Sequence, residues 1–92
     1  MGDNMKSNNI FTSSLPSIDL HGYTRDMARV EVNRFIEEAY LMKYEEVLII
    51  HGIGEGKVKE SVHETLSKNK HVAEYKIDFF NHGTTIVKIK YK

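Results

Sequence analysis

The spacing of apolar positions changes repeatedly along this chain, and each change predicts an element. Residues 1–17 show no period. They are rich in Asn and Ser, carry the single proline, Pro16, and read as a flexible leader in which Ile10, Phe11 and Leu15 are the candidates for touching a core. Ile18-Asp19-Leu20-His21 alternates as a short strand closed by Gly22. Thr24 suits the N-cap of a helix running to about Met42, whose Ala28, Val32, Phe35, Ile36 and Ala39 fall on one face. Glu46 to His51 holds four consecutive apolar residues, Val47 to Ile50, the pattern of a strand buried on both faces and so of parallel pairing. Gly52-Ile53-Gly54-Glu55-Gly56 breaks that run, and Val58, Val62 and Leu66 predict a second helix over about Lys57 to Lys68. Ala73, Tyr75, Ile77 and Phe79 then alternate with polar residues, Asn81-His82-Gly83 predicts a turn, and Val87, Ile89 and Tyr91 alternate with Lys88, Lys90 and Lys92 in a last strand. Those lysines read as guards on the wet face of an edge strand, with a phosphate-tracking stripe as the alternative.

The order β-α-β-α-β-β closes most simply as an α/β two-layer sandwich, a four-stranded mixed sheet carrying two helices. The first two connections are long enough for parallel crossovers, and the third suits a hairpin. At 92 residues this is one domain, with residues 1–17 as leader and 18–92 as the folded unit. There is no cysteine, so neither a disulfide nor a thiolate metal site contributes. No apolar run approaches the ~20 residues that cross a bilayer, and the N-terminus lacks the apolar segment of a signal peptide, so the expected location is cytoplasmic.

Charge changes the picture only when it is divided. Thirteen basic side chains balance thirteen acidic ones, which argues against a global basic field. Residues 1–50 nevertheless carry a net −3 and residues 51–92 a net +3. The basic excess accompanies the glycine-rich segment, the second helix and the last strand.

The candidate chemistry gathers at strand ends. If the first two strands are parallel, Asp19-Leu20-His21-Gly22 and Ile50-His51-Gly52 finish on one edge, where open α/β sheets place ligands. His21 and His51 are then expected to be neighbours across one rim, with Asp19 and His21 on a common face. Gly52, Gly54 and Gly56 permit positive φ and close backbone approach to an anion at the N-terminus of the second helix, where Lys57 and Lys59 are ill-placed for the helix dipole unless an anion is bound. Arg25 opens the first helix on the same rim. The bland reading of His21 and His51 is a hydrogen bond to a neighbouring carbonyl that stiffens the glycine loop. His63 and His71 read as exposed, His82 as a turn residue, and Tyr23 as a helix cap or a base-stacking ring. Gly56-Lys57 is followed by Val58, so a P-loop is not supplied, and G-x-G-x-G is not the dinucleotide fingerprint.

Ile18-Asp19-Leu20-His21-Gly22 and Ile50-His51-Gly52-Ile53-Gly54-Glu55-Gly56 together resemble the two hallmarks of the Smr (small MutS-related) domain family, over about residues 18–92. The family's Leu-Arg after the glycine loop stands here as Val58-Lys59, and its later glycine-rich turn is reduced to Asn81-His82-Gly83. The resemblance implies a fold similar to the C-terminal domain of translation initiation factor three. It also implies DNA or RNA as partner, nicking or endonuclease activity in several members, and ribosome-associated work in some. Asp19, His21 and His51 fall where the family places its catalytic or nucleic-acid motifs. The resulting expectation is a phosphodiester endonuclease with Asp19, His21 and His51 as catalytic residues and Gly52, Gly54, Gly56, Lys57, Lys59 and Arg25 as phosphate contacts. No cluster of carboxylates suits two metal ions, which favours a metal-independent or weakly metal-assisted route; a divalent metal stays open as a cofactor. The alternatives are a non-catalytic module for branched nucleic acid or ribosomal RNA, and a protein-interaction domain. Oligomeric state is not legible.

Overall fold

In the computed structural model, which describes residues 15–91, the Thr24 hydroxyl accepts a hydrogen bond from the Met27 N–H at 3.1 Å and starts helix α1 (Arg25–Leu41) as the N-cap rule expects. Ala28, Val32, Phe35, Ile36 and Ala39 are all buried, so the apolar stripe is the face that meets the sheet. The helix ends on Met42, and Lys43 takes a left-handed φ of 65°. The Tyr44 N–H donates to Ala39 O and the Lys43 N–H to Tyr40 O, the paired bonds of a Schellman ending, here built on a lysine where glycine costs least.

Strands β1 (Ser17–Asp19) and β2 (Glu46–Ile50) pair in parallel, helix α2 (Lys57–Lys68) follows, and β3 (Val72–Asp78) and β4 (Asn81–Ile89) form the closing hairpin. The sheet order is β1-β2-β4-β3. The expected two-layer α/β sandwich is therefore present, with Val32, Ile36, Val47, Ile49, Val62, Leu66 and Val87 at the centre of its core. Of the expected leader, residues 1–14, including Ile10 and Phe11, lie outside the described residues. Pro16 accepts from the Leu48 N–H at 2.8 Å, and Ser17 already belongs to β1.

Two local expectations are corrected. The hairpin turns at Phe79-Phe80 rather than at Asn81-His82-Gly83, which form the start of β4. The Asp78 carboxylate accepts from the Phe80 N–H at 3.0 Å, and this short side-chain acceptor bends the chain two residues earlier than glycine spacing suggests. Nor is β4 an edge strand: it lies between β2 and β3, so Lys88 sits on an inner strand, Lys90 follows its last residue, and Lys92 lies outside the described residues.

Candidate functional site

Because β1 and β2 run in parallel, both end on the same rim, and antiparallel β4 begins there, its Thr84 opposite Ile50. The β3–β4 tip shares that rim. On β1, the Asp19 carboxylate accepts from both the backbone N–H of His21 at 3.1 Å and its Nδ1–H at 2.8 Å. The pair is solvent-exposed, and the His21 Nε2 has no hydrogen-bond partner among the described residues. The hydrogen bond to Asp19 raises the His21 pKa, and the same bond lowers that of Asp19.

His51 does not join them. The register pairs Asp19 with Ile50, so the next step places Leu20 beside His51 and His21 beside Gly52, and side chains alternate faces along a strand. His51 therefore points with Leu20 into the helix-covered face and is only 4% exposed. Its Nδ1 lies 2.9 Å from Gly52 O and its Nε2 2.8 Å from the Thr85 hydroxyl, which is also 2.7 Å from Nε2 of His63 on α2. A carbonyl only accepts, so Nδ1–H of His51 donates to Gly52. The Thr85 O–H then donates to His51 Nε2, and His63 Nε2–H donates to the Thr85 oxygen. Burial lowers the pKa of both histidines, His51 and Lys59 adding to the effect at His63. His21 and His51 thus end on one rim but, one residue apart in register, on opposite faces of the sheet, and a bond to a neighbouring carbonyl is what His51 makes. His63, read as exposed, is half-buried in this network, and His71, also read as exposed, stacks on Tyr40 with ring centroids 3.8 Å apart.

The loop after β2 runs through Gly52, Gly54 and Gly56 at φ values of 85°, 26° and 85°. At Gly52 the positive φ is what calls for glycine, and an added Cβ would lie in ordinary contact with the His21 Cβ at 3.4 Å. Its N–H, with that of His51, is bound to Gly83 O. Among the described residues, the amides without a partner come later, at Gly54, Gly56 and the first turn of α2, which has no side-chain cap. Lys57 has Glu55 3.7 Å away. Arg25 reaches the start of α2: Nη1 donates to Glu60 at 2.8 Å and to Lys57 O at 3.5 Å, and Nη2 lies 3.7 Å from Glu64. Lys59 has no carboxylate within ion-pair distance among the described residues. Arg25 thus stands beside the start of α2, at the end of the glycine loop, with its guanidinium engaged by carboxylates.

Four residues around the site carry roles that the sequence reading does not assign. Thr85 was legible in principle, because it shares the inward alternation of Val87 and Ile89 and a buried hydroxyl must find partners. His63 follows Val62 on α2 and gave no signal of its own. Phe79 and Phe80 were absorbed into a strand pattern. No group of three or more His, Asp or Glu side chains able to hold a metal ion is formed among the described residues, and no helix there is long and apolar enough to cross a membrane.

Comparison with known proteins meets this geometry. Curated relatives include the endonuclease MutS2 of Staphylococcus saprophyticus, 40% identical over 79% of this chain, and that of Alkaliphilus metalliredigens, 33% identical over 97% of it. The chain spans only about a tenth of their length, 10% and 11% respectively. The Smr domain of Thermus thermophilus MutS2 superposes with a TM-score of 0.80 at 28% identity, covering 84% of this chain and all of that one. YdaL, a stand-alone small MutS-related protein from Escherichia coli, shares the fold at a TM-score of 0.72 and 24% identity, over 82% of this chain and 64% of its own. The Smr domain model matches residues 18–90, from β1 through the closing hairpin and across both histidine–glycine motifs, and the chain belongs to the Smr domain family.

Proposed function

We propose that this domain binds DNA or RNA on the rim formed by the ends of β1 and β2 and nicks a phosphodiester there, with His21 as the acid–base group. One observation carries the reading: the exposed Asp19–His21 pair sits against Gly52, at the root of a loop that leads into the uncapped start of α2. Asp19 fixes the ring through Nδ1, so Nε2 is the nitrogen that can take a proton from an attacking water or return one to the leaving oxygen. The hydrogen bond to Asp19 raises the His21 pKa, and an ordinary imidazole already titrates close to neutral pH. The amides of Gly54 and Gly56, the first turn of α2, Lys57 and Lys59 would hold the phosphate. His51 acts from beneath, by holding Gly52 O, rather than by touching substrate. The names of the MutS2 relatives, endonucleases, support cleavage, and the withdrawal of His51 from the rim favours the second reading, a nucleic-acid-binding module without catalysis.

Labelled duplex, branched DNA and RNA incubated with the purified chain, with and without EDTA, separate the two. Under the first reading His21→Ala abolishes nicking while the circular dichroism spectrum and salt-sensitive binding persist. Binding with a negative log–log salt slope and no cleavage in any condition selects the second. Absence of salt-sensitive binding to any of the probes refutes both.

A further inference from the structure

Phe79 and Phe80 stand at the tip of the β3–β4 hairpin, 80% and 91% exposed, with ring centroids 5.0 Å apart and planes at 86°. Neither packs on the core. The turn that carries them is held on both sides, by Asp78 accepting from Phe80 N–H at 3.0 Å and by Asn81 accepting from Gly83 N–H at 3.0 Å. Two large rings on a fixed turn, with no folding role, are an informative exposure. Two phenylalanines offer at most ~150–250 Å² each, well below the ~800 Å² per partner of a stable protein interface. Flat apolar ligands that need only a ring face fit better.

We infer that this tip is a stacking element for unpaired nucleobases of the strand whose backbone lies on the glycine loop. The inference rests on the nucleic-acid reading above and deepens it. Continuity of the rim supports it: the tip leads through Asn81 and His82 to Gly83, whose carbonyl binds the His51 and Gly52 amides. From β1 to β3 the rim crosses three inter-strand spacings, roughly 14 Å, or about four stacked nucleotides at ~3.4 Å each. A strand with its phosphate beside His21 therefore reaches the phenylalanines with bases a few nucleotides away. Perpendicular rings present one face and one edge, suited to receiving the first unpaired base at a junction. The substrate class is nucleic acid with a single-stranded flap or branch.

The test uses the full chain with hairpin probes of equal phosphate number, one fully paired and one carrying a single-stranded flap with 2-aminopurine, in DNA and RNA versions. Phe79→Ala and Phe80→Ala should each weaken flap binding by about five- to a hundredfold. They should leave binding to the paired probe and its salt slope unchanged. 2-Aminopurine quenching should vanish in the alanine variants and survive in Phe80→Trp, which keeps a ring face. Equal weakening of both probes, or flap binding indifferent to both substitutions, overturns the stacking role while leaving nucleic-acid binding intact. A wild-type chain that binds neither probe overturns the functional reading with it. Self-association by sedimentation that disappears on Phe79→Ala or Phe80→Ala, without flap selectivity, assigns the tip to a second copy and also overturns the proposal.

Discussion

Thr85→Val tests the buried histidine network directly, because valine keeps the shape of threonine and deletes only the hydroxyl. Thr85 is fully buried, and its oxygen links His51 at 2.8 Å to His63 at 2.7 Å. Without it, the His51 Nε2 is buried and unpartnered, at a cost of about 1–3 kcal/mol. His63 is half-exposed and recovers part of its bond from water, losing about 0.5–1 kcal/mol. Burial of the added methyl returns about 0.8 kcal/mol. The net destabilisation is therefore about 2 kcal/mol, a fall in Tm of ~10 °C for a domain of this size. Urea titration followed by circular dichroism measures it. Long-range proton–nitrogen NMR of the imidazoles adds a signature that mere packing loss lacks. His51 should keep the Nδ1–H form, which Gly52 O still holds, while its Nε2 signal shifts because nothing then donates to that nitrogen. A loss below about 0.5 kcal/mol with the His51 Nε2 signal unmoved refutes the assigned bond directions.

Asp19→Asn removes the acceptor charge that raises the His21 pKa, so NMR titration should show that ring falling toward its ordinary value of about 6.5; an unmoved titration disproves the pairing in solution. The two histidine environments carry opposite pH signs. His51 and His63 have lowered folded pKa values, so their contribution to stability is whole above the ordinary imidazole value and is lost as pH falls below it through the folded values. His21 has a raised one, so its contribution is present below that value and fades as pH rises through its folded pKa. Urea midpoints measured across this range in the wild type and in His21→Ala should show the alkaline fade only in the wild type. Lys43→Gly relieves the left-handed φ of 65° at the end of α1 and should stabilise the chain by about 0.5–1 kcal/mol in the same titration; a destabilised variant contradicts the Schellman assignment. His51→Asn places an N–H donor near the Nδ1 position and should preserve slow exchange of the Gly52 amide, whereas His51→Ala should accelerate it. Equal exchange in both means that the ring does not hold the loop.

Period and punctuation carried most of the fold. The α1 stripe is buried residue for residue, the Thr24 cap forms, and the apolar run Val47 to Ile50 pairs in parallel with β1 as its double-sided burial implied. Glycine spacing misplaces the hairpin, because Asp78 supplies an Asx acceptor that lets two phenylalanines make the bend. The edge assignment of the last strand failed for another reason. Alternation with lysine describes which face is wet, and a central strand in a one-sided sheet alternates as cleanly as an edge. At the site, pattern located the rim and the glycine loop but not the register, which depends on which residue of β1 lies opposite which residue of β2. A slip of one residue exchanges the faces of every side chain.

That single residue divides the labour of two histidines with nearly identical local motifs. On β1, His21 follows Asp19 by two positions, shares its exposed face and gains a charged acceptor. On β2, His51 follows Ile50 by one, turns inward and finds a carbonyl, a hydroxyl and, through it, a second histidine. The two rings are still coupled, by way of the backbone. His51 holds the carbonyl of Gly52, the Gly52 amide is held by Gly83, and the Gly52 Cα faces the His21 Cβ so closely that a side chain there would touch it. The buried network thus fixes the position of the glycine against which the exposed histidine rests. A histidine–glycine pair is needed on both strands for different physical reasons: one histidine to meet the solvent, the other to hold the surface that the first one stands on.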